Sequence, residues 1–305
     1  MFTPKPLFPG ARVALIAPAG PVPPERFGPA VRAVEELSLK PVIFESCRRA
    51  HGYLAGDDRL RANDVNAAFA DREIDGILCI RGGYGAQRLM NLIDWNSIRR
   101  HPKFFCGYSD ITSLHIVLNQ QCGLVTYHTP MPSTEWYRGL DEYSAQSLKK
   151  VLFGGKIGEL QNPAILPVKT LVGGCARGIL TGGNLSLVSS SLGTCYEINT
   201  KDKILFLEDV GEEPYRIDGM LNHLKMAGKF RDCAGILLGS FTDCSAQDPE
   251  RSLTLQQVFE ELLVPEHKPA LMNLACGHSM PSMSLPLGKE IEMNSISGKI
   301  TVLEG

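Results

Sequence analysis

The stretch FFCGYSDITSL, residues 104–114, joins an apolar run to a segment with helical spacing through Gly107, Tyr108, Ser109 and Asp110. This order predicts a buried strand, a sharp turn and a helix, with Ser109 on the turn. A serine in that place has its hydroxyl exposed at the start of the helix, which is the geometry of a nucleophile elbow. A plain helix N-cap, filled by Ser109 or Asp110, is the alternative. The elbow hypothesis requires a carboxylate and a histidine elsewhere in the chain.

Strand and helix signals alternate on both sides of this stretch through the first half of the chain. Strands are predicted over residues 12–17, 40–45, 74–80 and 103–108. Helices are predicted over residues 24–37, 88–93 and 111–121, and a further helical run follows Asp57-Asp58 and extends through residue 69. Repeated strand–helix units predict a doubly wound parallel sheet with helices on both faces. Ligands of such α/β sheets bind at the carboxyl ends of the strands, which is where Ser109 falls.

The second half of the chain has a different residue pattern. Turn residues replace periodic apolar ones between residues 151 and 175. Beyond them, strands are predicted over residues 177–181, 203–208, 234–240, 290–293 and 299–303, and helices over residues 217–227 and 254–263. We therefore predict a first domain over residues 1–150, an interdomain linker over residues 151–175, and a smaller α/β domain over residues 176–305.

Composition narrows the class of protein. The 305 residues are 44% hydrophobic and 21% charged, which is typical of a soluble globular protein. A net charge of -2 does not favour a nucleic-acid partner, and no apolar run reaches the roughly 18 residues of a membrane span. The N-terminus lacks the pattern of a signal peptide, so a cytoplasmic location is expected. Nine cysteines without a Cys-x-x-Cys pair are expected to be reduced thiols, and no His/Cys cluster suggests a metal.

The glycine-rich stretch RGGYG, residues 81–85, directly follows a buried strand signal. Glycines leave backbone amides open to close approach by a ligand. These amides could cradle a phosphate or donate to an oxyanion. The spacing is not Gly-x-Gly-x-x-Gly, and the Lys-Ser/Thr of a P-loop is missing. A tight strand-to-helix turn without a ligand is the alternative.

An acid and a base candidate occur in the second half. The apolar run of ILFLEDVGEE, residues 204–213, delivers Glu208 at a strand end, whereas the later carboxylates fit a solvated loop. Of seven histidines, His278 lies in a turn-rich loop after an apolar segment, in LACGHSMP, residues 274–281. The other six fall within helical segments or in loops that give them less context. Ser109, Glu208 and His278 therefore form the order nucleophile, carboxylate and base.

Taken together, the motifs resemble those of the LD-carboxypeptidases, serine peptidases that include muramoyltetrapeptide carboxypeptidase and the microcin C immunity protein. The resemblance runs over essentially the whole chain. The matching stretches are VALIAPAG (13–20), RGGYG (81–85), GYSDIT (107–112), GGNL (182–185), LEDVGE (207–212), PYRID (214–218) and GH (277–278). The resemblance implies a catalytic triad of Ser109, Glu208 and His278. It also implies a flavodoxin-like N-terminal domain, close to class I glutamine amidotransferases, and a smaller C-terminal α/β domain, with the active site between them.

The resemblance also implies an activity. The substrate would be a murein tetrapeptide, from which terminal D-alanine is released during cell-wall recycling, by a homodimer that needs no cofactor. The oxyanion would meet the amide of Asp110 and that of Gly82 or Gly83. Arg81 is a candidate for the substrate carboxylate, with a structural ion pair as its alternative.

Two other functions stay open at this point. An immunity-type relative would cleave an aminoacyl-nucleotide analogue, and that branch is expected to carry an aromatic residue on an insertion for the nucleobase. Neither Trp95 nor Trp136 lies in an obvious insertion, which favours the muropeptide. A non-catalytic small-molecule-binding protein would keep the glycine-rich turn without needing the three triad residues together.

Overall fold

The computed structural model describes residues 1–304. Internal contacts divide the chain into two compact units. The first unit comprises residues 1–156 together with residues 284–286, and the second comprises residues 157–283 and the chain from residue 287 onward. Ser109 and the glycine-rich stretch belong to the first unit, whereas Glu208 and His278 belong to the second.

Strands and helices alternate along most of the chain. The strands are β1 Arg12–Ile16, β2 Lys40–Ile43, β3 Gly76–Cys79, β4 Phe104–Gly107, β5 Thr126–His128, β6 Lys169–Val172, β7 Cys175–Asn184, β8 Lys203–Val210, β9 Gly235–Thr242, β10 Ala270–Met272, β11 Leu285–Leu287, β12 Glu290–Asn294 and β13 Lys299–Val302. The helices are α1 Pro24–Glu36, α2 Asp58–Ala70, α3 Trp95–Arg100, α4 Thr112–Cys122, α5 Glu142–Leu152, α6 Leu185–Ser190, α7 Pro214–Met226, α8 Lys229–Asp232 and α9 Leu255–Leu263. The chain is therefore a mixed α/β protein, as predicted.

The first sheet is built around parallel strands. Its order is β2-β1-β3-β4-β5, with β11 added beyond β5, and the neighbours among the first five strands pair in parallel. The order 2-1-3-4-5 is that of flavodoxin-like sheets. Strands β3, β4 and β5 are buried along their whole length, because the apolar runs read from the sequence face covered surfaces on both sides. The carboxyl ends of β1, β3 and β4 consequently lie next to one another at one edge of the sheet.

The second sheet mixes the two strand directions. Its order is β13-β12-β7-β8-β9-β10-β6. The central neighbours β7, β8, β9 and β10 pair in parallel, whereas β12, β13 and β6 join by antiparallel pairing. Strand β8 lies in the middle of this sheet and is buried from its second to its seventh residue. Glu208 therefore reaches the carboxyl end of a central strand.

One predicted helix is wrong. Residues 88–93 do not form a helix, because a 3₁₀ turn over Ala86–Leu89 is followed by a turn-rich connection. The next helix instead begins at Trp95, where the side chain of Asp94 caps it by accepting a hydrogen bond from the Ser97 amide. Helix α3 and helix α5 were not predicted.

The segment around the predicted linker contains regular structure. Residues 151–175 hold the end of α5 and the whole of β6, which pairs with β10 at a sheet edge. Residues 284–286 lie within the range predicted for the second domain but belong to the first unit. Strands β6 and β11 were not predicted, because β6 lies in a turn-rich segment and the three residues of β11 carry too little periodicity to be recognised in sequence.

Candidate active site

Ser109 occupies a strained turn between a buried strand and a helix. Strand β4 ends at Gly107, and Ser109 has a φ of 66° at the start of a 3₁₀ turn that leads into α4. Such a conformation costs a residue with a side chain of order 1–3 kcal/mol. The predicted strand, turn and helix are present, with the geometry of a nucleophile elbow. The N-cap of α4 is Ile111, so neither Ser109 nor Asp110 caps this helix.

The glycine-rich stretch lies directly against the elbow. A Cβ atom on Gly82 would lie 2.9 Å from the Cβ and 3.1 Å from the Oγ of Ser109. The carbonyl of Gly82 accepts a hydrogen bond of 2.9 Å from the amide of Gly20, in the loop after β1. Gly83 has a φ of 111°, a conformation that favours glycine. This contact with a serine favours the oxyanion role of the stretch over the phosphate role.

The carboxylate of Asp110 fixes the end of the same stretch. Its Oδ2 accepts a hydrogen bond of 2.7 Å from the amide of Ala86, and the amide of Gly85 also donates to this carboxylate. Burial raises the pKa of Asp110 to about 6, against the opposing effect of these two amides. From the sequence, the backbone amide of Asp110 was considered as an oxyanion donor, and its side chain only as an alternative helix cap. The side chain has a separate task, which is to tie the elbow to the glycine-rich stretch.

A buried histidine supports the strand before the elbow. The Nε2 of His115 lies 2.9 Å from the carbonyl oxygen of Gly107, and its Nδ1 lies 2.8 Å from the hydroxyl of Thr126. A carbonyl can only accept, so Nε2 carries the proton and Nδ1 accepts from the threonine. Burial lowers the pKa of His115 to about 4, so the ring is neutral at ordinary pH. This histidine is structural, in agreement with its place inside a helical segment.

Arg81 begins the glycine-rich stretch with a partly buried cation. Its Nη1 donates to the carbonyl of Pro21. Desolvation lowers the pKa of Arg81 from its ordinary value, and the nearby Arg26 acts in the same direction. No carboxylate forms a salt bridge with Arg81 within residues 1–304, so the structural ion pair is not found. A cation without a carboxylate partner is the arrangement that a carboxylate ligand would need.

Glu208 and His278 form a close pair in the second unit. The Nδ1 of His278 lies 2.7 Å from the Oε2 of Glu208. The Glu208 side chain is fully buried, whereas that of His278 is 15% exposed. A carboxylate on Nδ1 holds the imidazole in the tautomer whose Nε2 can accept a proton. The structure therefore brings together the two residues that the sequence had selected as acid and base.

Two features of the backbone help to place Glu208 and His278 next to each other. The pairing of β8 with β9 shifts register between Leu207 and Asp209, because β9 has one extra residue there, which forms a β-bulge opposite Glu208. Bulges often re-aim a side chain beside an active site. Gly277 has a φ of 126°, and a Cβ atom there would lie 2.7 Å from the Oε2 of Glu208. Because residue 277 has no side chain, the backbone can bring His278 close to the Glu208 carboxylate.

The carboxylates after Glu208 have other partners. Asp209 accepts hydrogen bonds from the side-chain amide of Asn184 and from the amide and hydroxyl of Ser186. Glu212 pairs with Arg216 one helical turn further on. Only Glu208 among this group reaches a histidine, as its position at the end of the apolar run had indicated.

Sequence reasoning missed one residue that contacts the glycine-rich stretch. Arg61 on α2 is fully buried and donates to carbonyls on two loops of the first unit. A signal was available, because Arg61 shares the buried face of α2 with Val65, Ala68 and Phe69. A charged residue in line with apolar ones at helical spacing indicates a buried polar network.

The part of the chain that the structure describes contains neither a candidate metal site nor a membrane-spanning helix. No group of three or more His, Cys, Asp or Glu side chains within residues 1–304 is arranged to hold a metal ion. None of the described helices is both long enough and apolar enough to cross a membrane.

A serine on a strained strand-to-helix turn and a histidine bonded to a buried carboxylate are parts that hydrolases with a nucleophilic serine use. Comparison with known families agrees with this class. The LD-carboxypeptidase N-terminal domain matches residues 13–129, and the LD-carboxypeptidase C-terminal domain matches residues 177–293. These matches cover more than half of the chain, which therefore belongs to the LD-carboxypeptidase family.

Individual relatives extend this result. The chain is 44% identical over 306 residues to a probable murein peptide carboxypeptidase of Bacillus subtilis, covering 99% of this chain and 94% of the relative. It superposes on a muramoyltetrapeptide carboxypeptidase from Oxalobacter formigenes with a TM-score of 0.84 and 25% identity, covering 96% and 98% of the two chains. It shares its fold with the microcin C7 self immunity protein MccF in complex with aspartyl sulfamoyl adenosine. For that pair the TM-score is 0.90, the identity is 22%, and the coverage is 100% of this chain and 99% of the other.

Proposed function

We propose that this carboxypeptidase releases terminal D-alanine from murein tetrapeptides, using Ser109, Glu208 and His278 as one catalytic triad. The observation that carries the proposal is the 2.7 Å hydrogen bond between Glu208 and His278, because it prepares the histidine to act as a base. The name of the Bacillus subtilis relative supports murein peptides as the substrate class.

The proposed reaction proceeds through an acyl-enzyme. His278 takes the proton of Ser109 while the serine oxygen attacks the carbonyl carbon before the terminal D-alanine. The tetrahedral intermediate collapses, its C–N bond breaks, and His278 returns the proton to the amine of the departing D-alanine. Water, deprotonated by His278, then cleaves the ester and regenerates the serine. Glu208 stabilises the imidazolium in both halves without becoming protonated.

The negative oxygen of the tetrahedral intermediate needs donors beside Ser109. We assign this role to the amide of Asp110 and to one amide from Gly82 or Gly83, because Gly82 contacts the serine side chain. Removing one such donor typically costs a factor of about 10²–10³ in rate. We further assign Arg81 to the free carboxylate of the substrate, since it has a positive charge that no carboxylate of the described chain neutralises.

The decisive experiment is a product analysis. The protein is incubated with the disaccharide-tetrapeptide, and the products are read by mass spectrometry. We expect conversion to the disaccharide-tripeptide with release of one D-alanine, and no conversion by Ser109→Ala. A tetrapeptide that ends in L-alanine is the stereochemical control and should persist. Absence of D-alanine release by the wild-type protein, or near wild-type release by Ser109→Ala, would contradict the proposal.

A second candidate is cleavage of an aminoacyl-nucleotide analogue, which the shared fold with the immunity protein favours. The two tryptophans do not support it, because the indole N–H of each donates to a backbone carbonyl of the first unit. Trp95 donates to Met90, and Trp136, which is buried, donates to Pro130. Offering aspartyl sulfamoyl adenosine as a competing substrate separates the two functions. Cleavage of this compound in preference to the tetrapeptide would overturn our assignment.

The cellular location and the oligomeric state of the protein are proposed from the family resemblance. A recycling role would place the protein in the cytoplasm, where muropeptides taken up by the cell are degraded. We also propose a homodimer. Light scattering coupled to size-exclusion chromatography tests the dimer, which should elute at about twice the 33.3 kDa mass of the chain.

A further inference from the structure

Arg61 is a fully buried cation close to the glycine-rich stretch. Its side chain is 0% exposed, and it lies on helix α2. Burial of an arginine is costly unless its donors are satisfied. Desolvation lowers its pKa from the ordinary value, while Asp58 acts in the opposite direction. The free-energy cost of burying the Arg61 guanidinium indicates that its hydrogen bonds have a specific role.

The hydrogen bonds of Arg61 cross-link three parts of the first unit. Its Nη1 donates to the carbonyl of Pro18, in the loop after β1, at 2.6 Å. The same atom donates to the carbonyl of Gly85, at the end of the glycine-rich stretch, at 2.9 Å. Its Nη2 pairs with Asp58 at the start of α2. The guanidinium thus joins the loops that follow two neighbouring strands.

Gly85 is held from both sides. Arg61 binds its carbonyl, and the Asp110 carboxylate accepts from its amide and from the amide of Ala86. Gly85 also has a φ of 120°, and a Cβ atom there would lie 2.8 Å from Nη1 of Arg61. At the other end of the stretch, Gly20 donates to the carbonyl of Gly82. The peptides between these anchors, at Gly82 and Gly83, therefore have little freedom to move.

We propose that Arg61, together with the carboxylate of Asp110, is a positioning residue that fixes the Gly82–Gly83 peptides against Ser109 by holding Gly85. This inference rests on the proposed function, because it concerns the donors of the oxyanion site. Arg61 makes no contact with the reacting atoms and acts through the backbone. A displacement of about 1 Å in a catalytic group can cost a factor of about 10² in rate.

A purely structural role makes a different prediction. Loss of packing alone would lower the melting temperature and the yield of folded protein, but the folded molecules would keep the wild-type kcat. Misplacement of the oxyanion donors would lower kcat in fully folded protein and leave KM nearly unchanged, because these donors act mainly in the transition state.

The test uses Arg61→Lys and Asp110→Asn in the full chain. Arg61→Lys keeps the charge but cannot span Pro18, Gly85 and Asp58 at once, and Asp110→Asn keeps the shape of the side chain. The matched control is Arg88→Met. Arg88 pairs with the same Asp58 from the outside and is 44% exposed, so its loss should leave kcat within about threefold of wild type.

Three quantities are measured, namely kcat and KM for the tetrapeptide, the rate at which a serine-directed phosphonate labels Ser109, and the melting temperature. The phosphonate adduct is tetrahedral and needs the same oxyanion donors. We expect kcat and the labelling rate to fall together by about 10²-fold in Arg61→Lys and Asp110→Asn, with KM within about threefold.

Folded variants with wild-type kcat and labelling rate would overturn the inference. If Arg61→Lys fails to fold, Asp110→Asn decides the matter alone. The labelling rate also separates this inference from the proposed function. A wild-type protein that is labelled at Ser109 but releases no D-alanine would refute the substrate and leave the positioning role to be judged by the labelling rates of the variants.

Discussion

A methyl group on Gly82 would lie 2.9 Å from Cβ of Ser109, which is closer than real side chains approach one another. The glycine-rich stretch can therefore pass the elbow only while residue 82 lacks a side chain. This relationship links two motifs that are 27 positions apart in sequence. It gives the glycine a function that no helix or turn propensity would reveal.

The first prediction concerns this contact. Gly82→Ala should lower kcat by about 10²-fold or more, because either the serine or the peptide at residue 82 must move. The measurement is steady-state kinetics on the tetrapeptide, with circular dichroism to check folding. Gly28→Ala on helix α1 is the control, since its nearest neighbour would lie at an ordinary 3.5 Å and alanine favours a helix. Equal activity of the two variants would contradict the role of Gly82.

The second prediction concerns the buried carboxylate. Glu208→Gln should lower kcat by about 10³- to 10⁴-fold, because the amide can donate to Nδ1 of His278 and so leave Nε2 protonated. The fold should persist, since glutamine has nearly the same shape. Single-turnover kinetics would show slow acylation. Acylation at the wild-type rate would mean that Glu208 does not set the tautomer.

The third prediction is that the triad acts as a unit. The double variant Glu208→Ala/His278→Ala should be about as slow as His278→Ala alone, because the carboxylate helps catalysis only through the histidine. Comparison of kcat among the two single variants and the double variant tests this. Losses that simply multiply would argue that the two residues belong to separate functions.

The fourth prediction concerns Arg81. Arg81→Met should raise KM for the tetrapeptide by about 10- to 100-fold, the size expected when a charge-assisted hydrogen bond is lost. A tetrapeptide with an amidated C-terminus should bind the wild-type protein with a similar penalty, and the substitution should add little to it. Arg26→Met is the control for general loss of positive charge, since Arg26 lies near enough to influence Arg81. Equal effects on both substrates would remove Arg81 from the carboxylate site.

The fifth prediction is a pH dependence of stability. The pKa of His115 is lowered to about 4, whereas an unfolded histidine titrates near 6.5. Between these values the unfolded chain binds a proton that the folded chain does not, so stability falls as the pH decreases through this window. The slope from this site is at most about 1.4 kcal/mol per pH unit. Urea titrations at several pH values should show a shallower dependence in His115→Gln, because the glutamine amide keeps one donor and one acceptor but does not titrate in this range. An unchanged dependence would assign the acid sensitivity to other groups.

Much of the fold and of the candidate site could be predicted, because the sequence patterns that indicate them are local. The elbow is encoded in eleven consecutive residues, and an apolar run that ends in Glu208 indicates a strand that delivers a carboxylate. The loop histidine stood out among seven because its neighbours are turn residues. The erroneous helix at residues 88–93 shows the limit of such reasoning, since a cap at Asp94 outweighed the apolar periodicity before it.

The sequence by itself determined the alternating α/β fold, the family, and the three residues proposed for catalysis. Only the tertiary structure decided that Gly82 packs against Ser109, that His278 bonds to Glu208, and that Arg61 and Asp110 hold Gly85 from opposite sides. The physical reason is that strand and helix periodicity depends on neighbouring residues. Hydrogen bonds between loops depend instead on which strands become adjacent in the sheet, and that is fixed only when the whole unit folds.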